Sequence, residues 1–269
     1  MEIQNKRIVL TGAASGIGKS LAILLSQYNC TLILVDRHAE NLSACITELN
    51  GSVAKVYSFV GDIAGQEQID RLFVFALEKM AGIEIFIANA GFAYYEQLEQ
   101  EDWEHIDQIF RVNVHSPIFT AIKMKNLNTN QPYKVVITAS AIGKLGLPGY
   151  ALYGASKSAI DRFAEAYRFE MNNPASLAVV YPISTRTKFF QEASSHEAPV
   201  PWPSQSPDQV AKAIISGIQK DRKSIYPSTI YRIFLFLGKL IPAIYRFEQN
   251  IELKRFHQWQ KEKTSDELS

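Results

Sequence analysis

The sequence predicts an α/β fold in which helices cover both faces of a doubly wound, mostly parallel sheet. Short apolar runs rich in Val, Ile and Leu alternate with longer segments of helical periodicity, as in strand–helix–strand units. The apolar runs lack polar alternation, which is typical of parallel strands buried on both faces. An apolar, aromatic stretch follows the last predicted strand and indicates an extra helical segment at the C-terminal end.

The strands and helices can be placed in chain order. The strand predictions are residues 7–12, 31–36, 54–62, 83–91, 134–140 and 176–184, and the helices between them lie near 17–29, 38–50, 65–81, 101–126 and 153–173. A further helix is expected from Ser206 to about Asp221. Ser206 suits an N-cap, Pro207 suits the first turn, and Gln209 can close a capping box. The segment "SIYP" that follows suggests a short edge strand.

The chain is predicted to form one domain. No internal repeat or linker is visible, so residues 1–227 are taken as the core and 228–269 as a helical extension broken near Pro242. Residues 192–206 contain three prolines and are expected to be irregular. A loop of that length inside a compact domain is usually functional or disordered.

Composition excludes several function classes. The net charge is +1 and the first two-thirds of the chain have no basic stripe, so no nucleic-acid partner is expected. Cys30 and Cys45 are the only cysteines, which indicates a reducing setting and no metal site. The opening residues lead into a strand without signal-peptide features, and no apolar run reaches about 18 residues. We therefore expect a cytoplasmic protein.

Glycines mark a nucleotide site after the first strand. "LTGAASGIGKS" places Gly12, Gly16 and Gly18 between a strand and a helix, where a tight turn can bring N–H groups and the helix N-terminus against a pyrophosphate. The next strand ends at Asp36, whose carboxylate can accept bonds from ribose hydroxyls and would repel a 2′-phosphate. Arg37 follows and could receive that phosphate. NAD is therefore favoured, and NADP is not excluded.

A tyrosine and a lysine lie one helical turn apart in "YGASK". A free phenol has a pKa of about 10, too high for a base near neutrality. Lys157 lies on the same helix face as Tyr153 and is expected to lower the pKa of the phenol. The alternative is a chance pair on an exposed helix face.

Several motifs in order resemble the short-chain dehydrogenase/reductase family in its single-domain branch, over about residues 5–220. They are the TGxxxGxG spacing from Thr11 to Gly18, Asp62, "NAG" at 89–91, "RVNVHSP", "ITASAIG" and "YGASK". The resemblance implies a Rossmann-like fold and hydride transfer between NAD(P) and a carbonyl or secondary alcohol. It makes Tyr153 the general acid/base, and Lys157 also a ligand of the nicotinamide ribose. Ser140 would bond the reacting oxygen, and Asn113 would hold a water next to Lys157.

The same resemblance implies a set of cofactor contacts. They are Thr11, Gly12, Ser15, Gly16, Ile17, Gly18, Asp36, Arg37, Asp62, Ile63, Asn89, Ala90, Gly91, Tyr153, Lys157, Pro182, Thr185 and Thr187. The family usually has Gly after the proline at position 182, whereas this chain has Ile183. The resemblance therefore does not define the path of the backbone next to the nicotinamide.

The substrate is expected to be a small, apolar molecule. The residues expected to face it are Tyr94, Tyr95, Leu145, Tyr150, Phe189 and Phe190. Phe189, Phe190 and Trp202 suggest an apolar lid that excludes water. Ordinary packing of an aromatic loop is the alternative.

The C-terminal extension has two interpretations. Apolar and aromatic residues interleaved with Arg and Lys over 228–260 are typical of peripheral membrane contact. Alternatively, the segment packs on the protein or across a homo-oligomer interface. Family members pair through the helices near 101–126 and 153–173, which implies a homodimer or homotetramer.

Two other functions are compatible with the fold. One is a non-catalytic nucleotide sensor, which would have no physical need for the set Asn113, Ser140, Tyr153 and Lys157. The other is an epimerase or dehydratase with the same Tyr/Lys pair, which the TGxxxGxG spacing and the absence of a large C-terminal substrate domain disfavour.

Overall fold

The computed structural model describes residues 1–173, 176–194 and 198–267. The strands in this part of the chain are β1 (Arg7–Thr11), β2 (Thr31–Asp36), β3 (Lys55–Val60), β4 (Ile85–Ala88), β5 (Lys134–Thr138), β6 (Leu177–Val180), β7 (Ser184–Thr185), β8 (Ser204–Gln205) and β9 (Ser224–Ile225). Seven of them form one sheet in the order β3-β2-β1-β4-β5-β6-β9, and every pairing in it is parallel. The predicted doubly wound parallel sheet is confirmed.

Helices lie between the strands and beyond them. They are α1 (Gly16–Leu25), α2 (Ala39–Glu48), α3 (Gln66–Met80), α4 (Trp103–Phe110), α5 (Ser116–Leu127), α6 (Ala151–Tyr167), α7 (Pro207–Gln219), α8 (Thr229–Leu240) and α9 (Pro242–Glu267). The helix predicted over 101–126 is two helices joined by a π-helical turn at Arg111–His115. The helix predicted to reach 173 ends at Tyr167, and a 3₁₀ turn follows.

Each sheet face has its own core, which explains why the strands are apolar throughout. Ile8 and Leu10 of β1 pack toward α1 and α7, whereas Val9 between them packs toward α3, α5 and α6. Successive side chains of a strand point to opposite faces, so a sheet covered on both sides needs apolar residues at every position. The sheet therefore lies between two layers of helices, with one apolar core on each of its faces.

Two local predictions near the end of the core are confirmed. Ser206 Oγ accepts a bond from the Gln209 amide at 3.2 Å, and Gln209 Oε1 accepts one from the Ser206 amide at 2.9 Å, which completes the capping box of α7. "SIYP" supplies the edge strand β9. The segment 192–206 is mostly irregular, but it also contains β8, which pairs with β7. Residues 195–197 of this segment lie outside the described residues.

The cysteines are structural in this chain. Cys30 and Cys45 are both free and buried in the core beside α1 and α2. Burial raises the pKa of Cys30 to about 11 and also raises that of Cys45, because a thiolate is poorly solvated there. Both therefore stay protonated and pack as small apolar groups.

The C-terminal extension is a pair of helices that breaks at Pro242, as predicted. Tyr231 and Leu235 of α8 pack in one cluster with Ala141 and Leu145. Trp259 of α9 packs edge-on against Tyr95 at a centroid distance of 4.9 Å. The inner sides of both helices therefore pack on the protein. No helix in the described part of the chain is both long enough and apolar enough to cross a bilayer.

Candidate active site

The site lies at the carboxyl ends of the strands, where the order of the sheet reverses between β1 and β4. A cavity of about 260 Å³ opens there and extends from the end of β2 to the C-terminal helices. In open parallel sheets, ligands bind at such a switch point because the loops on its two sides diverge. The cavity is therefore the candidate active site.

The ends of three strands are joined by three side chains. Thr11 Oγ1 accepts bonds from the amides of Asn89 and Ala90 at 3.1 and 3.2 Å. The Asn89 amide nitrogen donates to the carbonyls of Thr11 and Gly12, and its oxygen accepts from Thr138 Oγ1 at 3.2 Å. These bonds fix the floor of the cavity across β1, β4 and β5.

The glycine turn allows close contact that no other residue permits. Gly12 has φ +65°, and a Cβ there would lie 2.8 Å from the Cα of Ala90. A Cβ on Gly18 would lie 1.8 Å from the carbonyl oxygen of Gly12. Ser15 is the N-cap of α1, yet its side chain accepts no bond from the first turn. The N-terminus of α1 thus faces the cavity with amides suited to an anion.

A carboxylate stands at the end of β2. Asp36 Oδ2 accepts from the Ala14 amide at 3.0 Å, and Oδ1 accepts from the His38 amide at 3.0 Å. Arg37 is exposed and its Nε donates to His38 at 3.1 Å. Asp36, Arg37 and His38 all line the cavity. The negative charge is fixed by the loops, whereas the guanidinium lies at the surface.

Most of the predicted cofactor residues share this one cavity. Those that line it are Thr11, Gly12, Ser15, Gly16, Ile17, Asp36, Arg37, Asp62, Ile63, Asn89, Ala90, Gly91, Tyr153, Lys157, Pro182, Thr185 and Thr187. Gly18 lies beneath the turn and is not part of the wall. Ser184 also lines the cavity, and its buried hydroxyl has no partner among the described residues. A glycine cradle, a helix N-terminus and an unpaired hydroxyl fit a dinucleotide with a polar carboxamide.

The tyrosine and the lysine of "YGASK" are both buried at the cavity wall. They lie one turn apart in α6, and Lys157 Nζ is 5.7 Å from the centroid of the Tyr153 ring. Lys157 Nζ also donates to the carbonyl of Thr138 at 2.9 Å. The structure thus brings the pair together inside the site, so the chance surface pair is excluded.

Burial dominates the electrostatics of this pair. It raises the pKa of Tyr153 to about 12, and contact with the Ser140 hydroxyl acts in the opposite direction with a smaller effect. Burial also lowers the pKa of Lys157 to about 7. Lys157 therefore does not lower the pKa of Tyr153 in this structure, contrary to the expectation from sequence. The reason is that burial disfavours the charged form of each group.

Ser140 lies two residues beyond the end of β5 and reaches the same cavity. Its hydroxyl donates to the Pro182 carbonyl at 3.5 Å and accepts from the Ile142 amide at 3.3 Å. Pro182 also accepts from the Ala141 amide at 2.8 Å, so the segment after β6 is held against the segment after β5. Ile183, which replaces the usual glycine, lines the cavity and packs on the cluster formed by Tyr231 and Leu235.

Asn113 supports the site from behind the wall. It lies in the π-helical turn, where one extra residue per turn redirects side chains, a feature frequent at functional sites. Its amide nitrogen donates to the Phe92 carbonyl at 2.9 Å and to Ser156 Oγ at 3.1 Å, and its oxygen accepts from the Phe92 amide at 3.2 Å. A Cβ on Gly91 would lie 2.9 Å from that oxygen and 3.2 Å from Lys157 Nζ.

The cavity wall contains half of the predicted substrate set. Tyr150, Phe189 and Phe190 line the cavity. Tyr94 instead stacks on His105, and Tyr95 is buried against Trp259 of α9. Leu145 is buried in the cluster under α8. Tyr95 and Leu145 lie outside the wall because the C-terminal helices fold back over the segments that carry them.

Two residues of the extension line the cavity and were missed. They are Tyr231 of α8 and Glu248 of α9, and the Tyr231 hydroxyl donates to Glu248 Oε1 at 3.0 Å. Burial raises the pKa of Glu248, and the nearby Glu252 acts in the same direction. A tyrosine three residues after an N-cap serine and a lone acid in a basic, apolar stretch were signals, but sequence gives no distance between them.

The described part of the chain contains no group of three His, Cys, Asp or Glu side chains placed to hold a metal ion.

Comparison with known proteins identifies the family. The sequence profile described as short chain dehydrogenase matches residues 6–198. The chain belongs to the short chain dehydrogenase family. As a member it is a nicotinamide-dependent oxidoreductase of the alcohol–carbonyl class.

Related proteins agree with this assignment. An uncharacterised oxidoreductase of Listeria innocua is 28% identical over 203 residues, which cover 73% of this chain and 81% of that protein. A hydroxynaphthalene reductase-like protein of Metarhizium anisopliae is 23% identical over 238 residues, 88% of this chain and 89% of that protein.

Solved structures share the fold. A short-chain dehydrogenase from Sphingobium yanoikuyae in complex with NADPH has a TM-score of 0.76 at 23% identity, covering 88% of this chain and 94% of that one. A short chain dehydrogenase/reductase from Burkholderia phymatum in complex with NAD also has a TM-score of 0.76, at 22% identity, covering 95% and 97%.

The buried Lys157 predicts a particular dependence of stability on pH. Between pH of about 7 and 10.5 the unfolded lysine binds a proton that the folded one does not, so the wild-type chain gains stability as pH rises through this window. We expect Lys157→Met to be stabilising relative to wild type mainly near and below pH 7. The difference in the free energy of unfolding between Lys157→Met and wild type should decrease toward pH 10.5, by up to about 1.4 kcal/mol per pH unit. Urea unfolding across this range measures it.

Lys212→Met is the matched control, because Lys212 is exposed on α7 and carries no buried charge. Its free energy of unfolding should follow the wild type at every pH. A difference between Lys157→Met and wild type that does not change with pH would contradict the buried-charge account.

Proposed function

We propose that the protein interconverts an apolar ketone and its secondary alcohol with NAD(P), and that Tyr153 is the general acid/base. The observation that carries this proposal is the meeting of Tyr153, Lys157 and Ser140 at the wall of one cavity whose far side is aromatic and aliphatic. A phenol, a lysine amine and a hydroxyl around an apolar space suit proton transfer to a carbonyl oxygen better than nucleophilic attack. This favours the enzyme over a sensor that only binds nucleotide.

The cofactor would be held by residues already positioned in the chain. The N-terminus of α1 would bind the pyrophosphate, and Asp36 would bind the adenosine ribose. Ser184 and Thr187 would bind the carboxamide of the nicotinamide. NAD(P) supplies or accepts the hydride when bound. We propose NAD as the preferred form because Asp36 would repel a 2′-phosphate, although the related structures contain NADPH in one case and NAD in the other.

Tyr153 is prepared to act as a proton donor. Its raised pKa keeps the phenol protonated at neutral pH, which suits reduction of a carbonyl. A developing negative charge on the substrate oxygen would be stabilised by the Ser140 hydroxyl, and that charge would in turn favour the protonated form of Lys157. Asn113 is proposed to act through Phe92 and Ser156, by fixing the segments beside Gly91 and Lys157.

The walls of the cavity support an apolar substrate. Phe92, Ile142, Leu147, Phe189 and Phe190 line it together with Trp202. Aromatic and aliphatic lining favours a ring or chain without charge near the reacting carbon. The likeness to a hydroxynaphthalene reductase-like protein makes fused-ring ketones such as tetralones reasonable members of a substrate panel.

Replacement of the phenol hydroxyl tests the central role. Tyr153→Phe should lower kcat for ketone reduction by about 10²- to 10⁴-fold, the usual contribution of a general acid. Binding of NADH, followed by fluorescence, should change little because the ring remains. Nicotinamide absorbance with a panel of ketones and alcohols measures turnover.

Tyr28→Phe serves as the control, since Tyr28 follows the C-terminal end of α1 and does not line the cavity. It should retain wild-type turnover. If Tyr153→Phe keeps most of its activity on a substrate that the wild type turns over, the assignment of Tyr153 is wrong.

Asp36 is expected to set the cofactor preference. Asp36→Ser removes the charge and keeps a hydroxyl, so the ratio of kcat/KM for NADPH to that for NADH should rise at least about tenfold, equivalent to about 1.4 kcal/mol. Glu78→Ser on the exposed side of α3 removes the same charge elsewhere and should leave the ratio unchanged. An unaltered ratio in Asp36→Ser would contradict the repulsion.

A homodimer or homotetramer is part of the proposal. Trp103 at the start of α4 is 84% exposed and Phe169 after α6 is 90% exposed, with Ile106 also at the surface. Large exposed apolar side chains on these helices suit a symmetric interface. Ile106→Glu with Phe169→Glu should shift the species seen in sedimentation velocity to monomer, whereas Val74→Glu on α3 should not. A wild type that is already monomeric would contradict this proposal.

We also propose a reducing, cytoplasmic setting. Its support is the unpaired, buried state of Cys30 and Cys45.

A further inference from the structure

The outer side of the C-terminal helical pair carries large apolar side chains that nothing in the described chain covers. We define this outer face by Ile230, Ile233, Phe236, Leu240 and Phe247. Ile230 is 82%, Phe236 62%, Leu240 66% and Phe247 70% exposed. The four residues on α8 recur every three or four positions and so form one stripe, opposite the buried Tyr231 and Leu235. A continuous apolar stripe of this kind indicates an interaction surface.

The charge around this face is of one sign. Residues 222–247 contain no Asp or Glu, whereas they contain the five basic residues Arg222, Lys223, Arg232, Lys239 and Arg246. The whole chain has a net charge of only +1, so positive charge is concentrated in this stretch. Arg232, Lys239 and Arg246 are all exposed beside the apolar stripe.

The charges discriminate between two occupants of the face. A second copy joined by a two-fold axis would present the same basic residues to one another without acidic partners. An anionic lipid surface offers phosphates to the basic residues and acyl chains to the apolar ones. We propose that the outer face of α8 and the start of α9 docks on an anionic membrane surface.

The dimensions of α8 define how it would bind. Twelve residues give a helix of about 18 Å, shorter than the hydrocarbon core of about 30 Å. The helix therefore lies in the interface plane, with Arg and Lys reaching headgroups.

Docking has a consequence for the cavity, which rests on the proposed function. Tyr231 lines the cavity from the inner side of α8, so the helix that touches lipid is also a wall of the substrate site. Trp202 lines the same cavity and is 75% exposed. Docking would therefore place the wall of the substrate site next to the lipid phase in which an apolar ketone dissolves.

Flotation with vesicles tests the docking without relying on turnover. The full chain should float with phosphatidylcholine vesicles that contain phosphatidylglycerol, and much less with phosphatidylcholine alone. Phe236→Ser combined with Phe247→Ser should lower the partition coefficient by about tenfold per side chain, given the free energy of burying a Phe. Lys239→Glu should lower it further on the anionic vesicles only.

Matched variants show whether the effect is local. Val74→Ser removes an apolar side chain that is 57% exposed on α3, and Lys212→Glu reverses an exposed charge on α7. Both should float like wild type. Retained NADH binding and far-UV circular dichroism show that the Phe236/Phe247 variant is folded.

Two results would overturn the proposal. One is a wild-type chain that stays at the bottom of the gradient with both kinds of vesicle. The other is a wild-type dimer that the Phe236/Phe247 variant converts to monomer without any vesicle binding, which would assign the face to a second copy. Failure of the proposed oxidoreduction would appear instead as no turnover of any ketone with flotation intact.

Discussion

Everything in the site depends on how closely the turn after β1 approaches the end of β4. Only a residue without a Cβ can occupy Gly12, because the Cα of Ala90 lies where that Cβ would be. Gly18 then brings α1 against the carbonyl of Gly12, and Asn89 holds the two strand ends with its amide. This contact aims the N-terminus of α1 at the cavity and fixes the distance between the nucleotide end and the phenol.

Burial, rather than mutual attraction, governs the central pair in the chain by itself. Tyr153 and Lys157 lie in a dry wall, where desolvation favours a neutral phenol and a neutral amine. A site of this kind responds strongly to any charge that enters it, because little water screens the interaction. The Thr138 carbonyl and the π-helical turn keep the two groups in place while that environment changes.

The inner and outer sides of the C-terminal helices have different properties. Their inner sides cover Tyr95 and Leu145 and complete the cavity with Tyr231 and Glu248. On their outer side, the apolar residues from Ile230 to Phe247 lie in a stretch that contains basic residues and no acidic ones. The wall of the cavity thus contains residues of the same element that we propose to contact lipid.

The sequence by itself determined the parallel sheet, the glycine turn, the capping box of α7, the break at Pro242 and the identity of the Tyr/Lys pair. Each is a local pattern, since periodicity, capping and spacing act within a few residues along the chain. Only the tertiary structure decided that Tyr95 is buried under Trp259, that Glu248 meets Tyr231, and that Asn113 lies in a π-helical turn bonded to Phe92. The first two facts depend on where an extension of about forty residues folds back. The third depends on contact between the π-helical turn and the segment after β4. Both arrangements are set by long-range packing. The pKa of Lys157 also needed the structure, because burial is a property of the surroundings and not of the neighbours in sequence.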